Sequence, residues 1–202
     1  MKTIYKKSIS FCSLLLAVSV FISCKEEERK PRTIPLNSFS MQVNGEVWEP
    51  FQEEDNPCYS TFAGTFGHYG EMPMYTIYAY RDPAGIAEWL SENMLRMRVM
   101  NVTEPGTYLL DGTYKEDFDS YFMFQTREDL ENHNRYVNDP GRSAFVVIVK
   151  EFIPGRYSST KGIKGSFSGI LYNEVDLLDS LIIEKGEFTF AFVGAGYDNH
   201  CD

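Results

Sequence analysis

Histidine is scarce in this chain, with three residues in 202 (His68, His133 and His200). None stands in an H-E-x-x-H pair, and no two cysteines stand in C-x-x-C, so a zinc site has no support in the sequence. A glycine-rich phosphate loop is missing as well. Gly165-Ser166-Phe167-Ser168-Gly169 carries phenylalanine where a nucleophile elbow needs serine. Long apolar runs are absent too: Phe11 to Ile22 is about a dozen residues, and a membrane-spanning helix needs ~20. Basic charge is also short, with 19 Lys and Arg against 29 Asp and Glu, a net −10. An acidic surface repels phosphate backbones, so nucleic acid is excluded as a partner. The expectation is a non-enzymatic protein with no catalytic residue, cofactor or metal.

What is present begins with an address. Residues 1–23 hold Lys2, Lys6 and Lys7, no acid, then the short apolar run and Ser23. A basic start, a short apolar middle and a small residue describe a secretory signal. Phe21-Ile22-Ser23-Cys24 resembles the lipobox of bacterial lipoproteins, with Phe21 where leucine is usual. That resemblance implies cleavage before Cys24 and acylation of its thiol, with enough chains for stable membrane anchoring. Lys25-Glu26-Glu27-Glu28 resembles the surface-export signal of Bacteroidota lipoproteins. It implies an outer-membrane lipoprotein exposed at the cell surface. The alternative is a solvated spacer on a periplasm-facing protein.

Loss of residues 1–23 removes three positive charges, and the net charge falls from −10 to −13. Residues 24–37, with Pro31 and Pro35, read as the lipidated N-terminus and a flexible tether. Residues 38–202 read as one β domain; at 43% hydrophobic and 15% aromatic the chain is too apolar for disorder. Cys12 leaves with the leader and Cys24 carries lipid, so Cys58 and Cys201 remain. In an oxidising space they are candidates for one disulfide, with two unpaired thiols as the alternative.

Beyond the tether the dominant period is two. Phe39, Met41 and Val43 alternate with polar residues up to Asn44-Gly45, the strongest short hairpin signal, and Glu46-Val47-Trp48 returns. Ile77 and Ala79, then Leu95, Met97 and Val99, repeat the alternation. Glu104-Pro105-Gly106 marks a turn. Ala144 to Val149 is continuously apolar, as in a strand covered on both faces. Gly165 to Tyr172 is a strand with a bulge expected at Gly169. Lys185-Gly186 reads as a turn before Phe188, Phe190 and Phe192. Two segments carry helical signals: Ala84 to Met94 by spacing, and Thr126 to Tyr136 by its capping threonine and early acids. The fold expected is an antiparallel β-sandwich of about eight to ten strands with one or two short helices. A calycin-like up-and-down barrel is the alternative.

The run FSMQVNGEVWEP, the PGTY turn at Pro105 to Tyr108 and the late KGEFTF resemble uncharacterised all-β lipoprotein families of gut Bacteroidota. The resemblance implies a location and a β fold, and no catalytic residue. Acidic clusters at Glu53-Glu54-Asp55 and at Glu116, Asp117 and Asp119 lack EF-hand spacing and read as solvated surface. Tyr59, Tyr75, Tyr78, Tyr80 and Trp48 are too many rings for one core, and exposed rings stack on sugars or fill a partner's pocket. Asp179-Ser180-Leu181 resembles a short O-glycan acceptor motif. The leading functional expectation is a lipid-anchored envelope module that binds a glycan or a protein. The second is a structural or assembly subunit of a surface complex, and the third a hydrolase built on two dispersed carboxylates.

Overall fold

The structure is a computed structural model. It describes residues 37–52, 61–81, 93–116, 118–127, 133–154 and 161–191. Cys24, Cys58, Tyr59, Cys201 and His200, with the Glu53-Glu54-Asp55 cluster and Asp117, lie outside those residues. The described part belongs to one unit, Pro35–Asp202.

Among the described residues the alternation forms eleven strands: β1 (Ser38–Val43), β2 (Glu46–Trp48), β3 (Phe62–Tyr69), β4 (Met72–Tyr80), β5 (Asn93–Met100), β6 (Gly106–Leu109), β7 (Tyr121–Arg127), β8 (His133–Asn138), β9 (Val146–Ile153), β10 (Gly162–Asn173) and β11 (Ser180–Phe190). All pairs are antiparallel and share one sheet, in the order β2-β1-β11-β10-β8-β7-β5-β4-β3. The sheet forks at the long strand β10. Its first half pairs β9, which pairs β6, and its last three residues pair β8.

The expectation of a mainly β, antiparallel fold holds. Eleven strands stand in place of eight to ten, and they form one curled sheet, a half-barrel whose walls face each other across a shared core. Trp48 on β2 meets the Phe124 ring on β7 at 5.6 Å, and Phe62 on β3 meets Phe190 on β11 at 6.2 Å. These contacts cross the core between strands far apart in the order. Phe167 sits at the centre, against Phe39, Phe122, Phe145 and Phe188.

There is no helix among the described residues, and so none long and apolar enough to cross a membrane. Most of Ala84 to Met94 lies outside the described residues, and Met94 pairs Gln125 within the sheet. The helix expected over Thr126 to Tyr136 is corrected at both ends. Thr126 belongs to β7 and pairs Asn134 on β8, and Phe124 pairs Tyr136. Cross-strand pairing of this hairpin overrides the local capping signal.

Asn44-Gly45 makes the expected turn, with φ of 52° and 85°. Lys185-Gly186 does not turn. β11 runs through it as one strand of 11 residues. Gly169 does stand at a bulge: the register with β11 shifts between Phe167 and Gly169, with the extra residue on β11. It is a glycine because a side chain there would run into the Phe145 ring.

Candidate binding surface

Two bulges shape one outer face of the sheet. On β11, Glu187 pairs Ser40 of β1 and Glu184 pairs Gln42, so β11 uses three residues where β1 uses two. The opposite neighbour shows the same offset: Gly186 pairs Phe167 of β10, and Ile183 pairs Gly169. The extra residue is Lys185, in the left-handed region with φ 49°. A non-glycine residue there costs about 1 kcal/mol or more. Gly186 follows because the Phe167 ring fills the space a side chain would need. On β9, Glu151 pairs Lys164 of β10 and Val149 pairs Gly165, so Lys150 is the extra residue. Both strands flanking β10 therefore place a lysine at a bulge.

Both lysines line the same trough, of about 660 Å³. Small residues on adjoining strands line it: Ser40 on β1, Ser166 and Ser168 on β10, and Gly186. One wall holds Gln42, Val47 and Glu49, and the other holds Val146, Ile148 and Lys150. Ser40 pairs Glu187, Glu187 pairs Ser166, and Ser166 pairs Ile148, so these residues form one row across four strands. Lys150 Nζ reaches over β10 to Glu187 Oε1 at 3.3 Å. The pair is exposed and contributes little to stability. Its effect is to hold a donor and an acceptor in register above the serine hydroxyls. Two lysines and two glutamates leave the trough near electrical balance inside an acidic chain.

β9 also departs from expectation here. Val147 and Val149 are buried, but Ile148 on the outer side is exposed. The continuously apolar run is covered on one face only, and its other face makes the apolar wall of the trough.

The aromatic candidates divide. Trp48 and Tyr75 are 4% and 2% exposed and belong to the core. The Tyr75 hydroxyl donates to the Lys161 carbonyl at 3.1 Å, and burial pushes its pKa up to about 12. Tyr78 and Tyr80 are half-buried on the outer face of β4. There the Arg96 guanidinium lies 5.2 Å from the Tyr78 ring and 5.8 Å from the Tyr121 ring, and Arg98 lies 5.2 Å from Tyr121. Burial raises the pKa of Tyr121. Arg135 donates to Tyr114 Oη at 2.6 Å and to Glu174 Oε2 at 3.2 Å. Lys115 pairs Glu174 Oε1 at 3.2 Å, and the hydrogen bond raises its pKa. This second outer face is a stacked arginine–tyrosine ladder rather than a row of open rings.

Among the acids, Asp119 Oδ2 accepts Thr113 N–H at 2.9 Å and so holds its own loop. Glu49 and Glu187 line the trough, the latter tied to Lys150. His68 packs edge-on against Phe66 at 4.8 Å, and His133 is exposed at the start of β8. Among the described residues, no three His, Cys, Asp or Glu gather as a metal site.

The sequence reading missed both bulge lysines. Their signal is a change of parity. Leu181 and Ile183 point inward at odd positions, and Phe188 and Phe190 at even ones. One extra residue between them is required. No curated protein and no solved structure matches the chain. Residues 36–191 match the family described as a domain of unknown function, DUF5025, and the chain belongs to that family.

Proposed function

We propose that this chain is a lipid-anchored, non-enzymatic lipoprotein of the cell envelope that binds a glycan in the trough. The observation that carries the reading is the pair of bulges. A central strand holds a lysine in a costly backbone conformation, and bulges of this kind re-aim side chains beside functional sites. The groups they assemble are serine hydroxyls, an amide, two carboxylates and two ammonium groups. A polyhydroxylated ligand needs such a mixture of donors and acceptors. Val47 and Ile148 supply the apolar contact that the flat faces of sugar rings take. Near-neutral local charge favours an uncharged glycan.

The anchor is part of the same proposal. It rests on the leader and on Cys24, with surface exposure resting on the acidic residues behind it. Palmitate incorporation that disappears in Cys24→Ala supports the anchor, and unchanged labelling refutes it. For the trough, the full chain is titrated by calorimetry against a panel of neutral polysaccharides, alongside Ser166→Trp. Ser166 faces outward, so tryptophan there fills the trough without entering the core. Binding that falls at least tenfold in Ser166→Trp supports the reading. Absence of binding across the panel, or binding that Ser166→Trp leaves unchanged, overturns it. The reading as an assembly subunit has its own observation, an exposed apolar loop at the far end of the β10–β11 hairpin.

A further inference from the structure

The β10–β11 hairpin ends in the loop Glu174 to Asp179. Val175 is 94% exposed, Leu178 93% and Leu177 55%. Three apolar side chains so exposed within four residues are unlike the single exposed residues scattered over any surface. A loose loop would let them fold back onto the protein. This loop is tied at nearly every residue. Asn173 Oδ1 accepts Val175 N–H at 2.9 Å and Asp176 N–H at 3.2 Å. Asp176 Oδ1 accepts Leu178 N–H at 3.0 Å. Asp179 Oδ2 accepts the Tyr136 hydroxyl at 2.7 Å and Asn173 Nδ2 at 3.1 Å. Arg142 Nη1 donates to the Leu177 carbonyl at 2.6 Å while its guanidinium stacks 3.9 Å from the Tyr172 ring. Hydrogen bonds to its polar groups hold the loop, and its apolar side chains face out.

We propose that this hairpin tip is a docking knob for a second protein, one that offers an apolar pocket bordered by basic side chains. The inference deepens the assembly-subunit reading and rests on it, not on glycan binding at the trough. A preordered loop loses little freedom on binding, so the apolar area it buries goes directly into affinity. The basic border follows from charge, because Asp176 lies exposed between the apolar side chains and the chain as a whole is acidic. The same charge disfavours an anionic lipid surface. The tip also stands apart from the point where the chain enters the sheet. Asn37 Oδ1 accepts Ala191 N–H at 2.9 Å, so the chain enters the sheet at the C-terminal end of β11. The tip lies at the other end of that 11-residue strand, about 35 Å away at ~3.3 Å per residue.

The test places a benzophenone side chain at Leu178 of the full-length chain in its native cells, with Glu151 as the control position. Irradiation is expected to give a discrete protein adduct at Leu178 and none at Glu151. Adding Val175→Asp is expected to reduce the adduct at least fivefold, and Asp176→Asn, which keeps the Oδ1 acceptor for Leu178 N–H and removes only the charge, to reduce it several-fold, each with an unchanged melting temperature by circular dichroism. The proposal is overturned by no adduct, by an adduct of twice the chain's own mass, by a lipid adduct, or by an adduct that survives Val175→Asp. An adduct that survives Asp176→Asn undiminished overturns the basic border. Glycan titration of the same variants separates this outcome from that of the trough, which they leave intact.

Discussion

Asn138 is buried where the sheet forks, and its side chain makes three hydrogen bonds there. Its Oδ1 accepts Phe122 N–H at 2.8 Å, and its Nδ2 donates to the carbonyls of Leu110 at 2.9 Å and Gly112 at 3.0 Å. One amide thus ties β8 and β7 to the chain leaving β6. Removing it strands a buried donor and two acceptors, so Asn138→Ala is expected to cost about 3 kcal/mol in urea unfolding. Asn138→Asp cannot donate to the two carbonyls and is expected to cost at least as much. Tyr75 gives a pH dependence. Its folded pKa, about 12, lies above the value near 10 of an unfolded tyrosine. The folded state therefore holds that proton more tightly. The contribution is intact below pH 10 and is lost as pH rises through 12, in all about 3 kcal/mol. Tyr121 and Tyr136 shift in the same direction, chiefly through burial. The urea midpoint is expected to fall between pH 10 and 12, and Tyr75→Phe to flatten that fall. A fall just as steep in Tyr75→Phe would remove Tyr75 as its source.

At the scale of elements, the strands were legible, and of their irregularities only the register shift at Gly169 was. Alternation located Phe39 and Met41, Leu95, Met97 and Val99, and Phe188 and Phe190 on buried faces, because period two is a property of the strand itself. The helix signal at Thr126 failed because a capping residue reports only local preference, and pairing with Asn134 decided the outcome. The lysine bulges were hidden for a related reason. Lys-Gly is a turn signal, and only the shift from odd to even inward positions across it distinguishes a bulge from a turn. β9 carries the same shift, from Val147 and Val149 to Phe152, with Lys150 and Glu151 between. The trough itself, assembled from five strands, has no local signature. Lys185 is where this reading is most exposed to test. Lys185→Gly relieves the left-handed strain and is expected to stabilise the fold by about 0.5–1 kcal/mol in thermal unfolding. It also removes one ammonium group from the trough and is expected to weaken glycan binding several-fold. Lys185→Asn, which tolerates the same φ, is expected to keep the wild-type stability. A bulge of purely structural use predicts the stability gain with no change in binding.

Over the whole molecule, the described sheet has edges at β2, β3 and, on the branch, β6, and it is side chains reaching across the core that hold the curl. Trp48 is the clearest case. It lies on the three-residue edge strand β2, yet it is buried and meets both Phe39, at 6.1 Å, and Phe124 on the far wall. Its indole Nε1 is buried with no hydrogen-bond partner among the described residues. That combination sets two opposing terms, apolar area gained against a stranded donor, and a pair of variants separates them. Trp48→Ala removes the bridge and leaves a cavity, at an expected cost of 3–5 kcal/mol, or about that. Trp48→Phe keeps most of the ring area and removes the stranded N–H, so its cost is expected to stay below about 1 kcal/mol. Because the core is continuous from β2 to β7, unfolding of Trp48→Ala followed by near-ultraviolet and far-ultraviolet circular dichroism is expected to remain one coincident transition at lower denaturant. Two separated transitions would mean that the walls on either side of the β10 fork fold independently, and that Trp48 closes the sheet without coupling its halves.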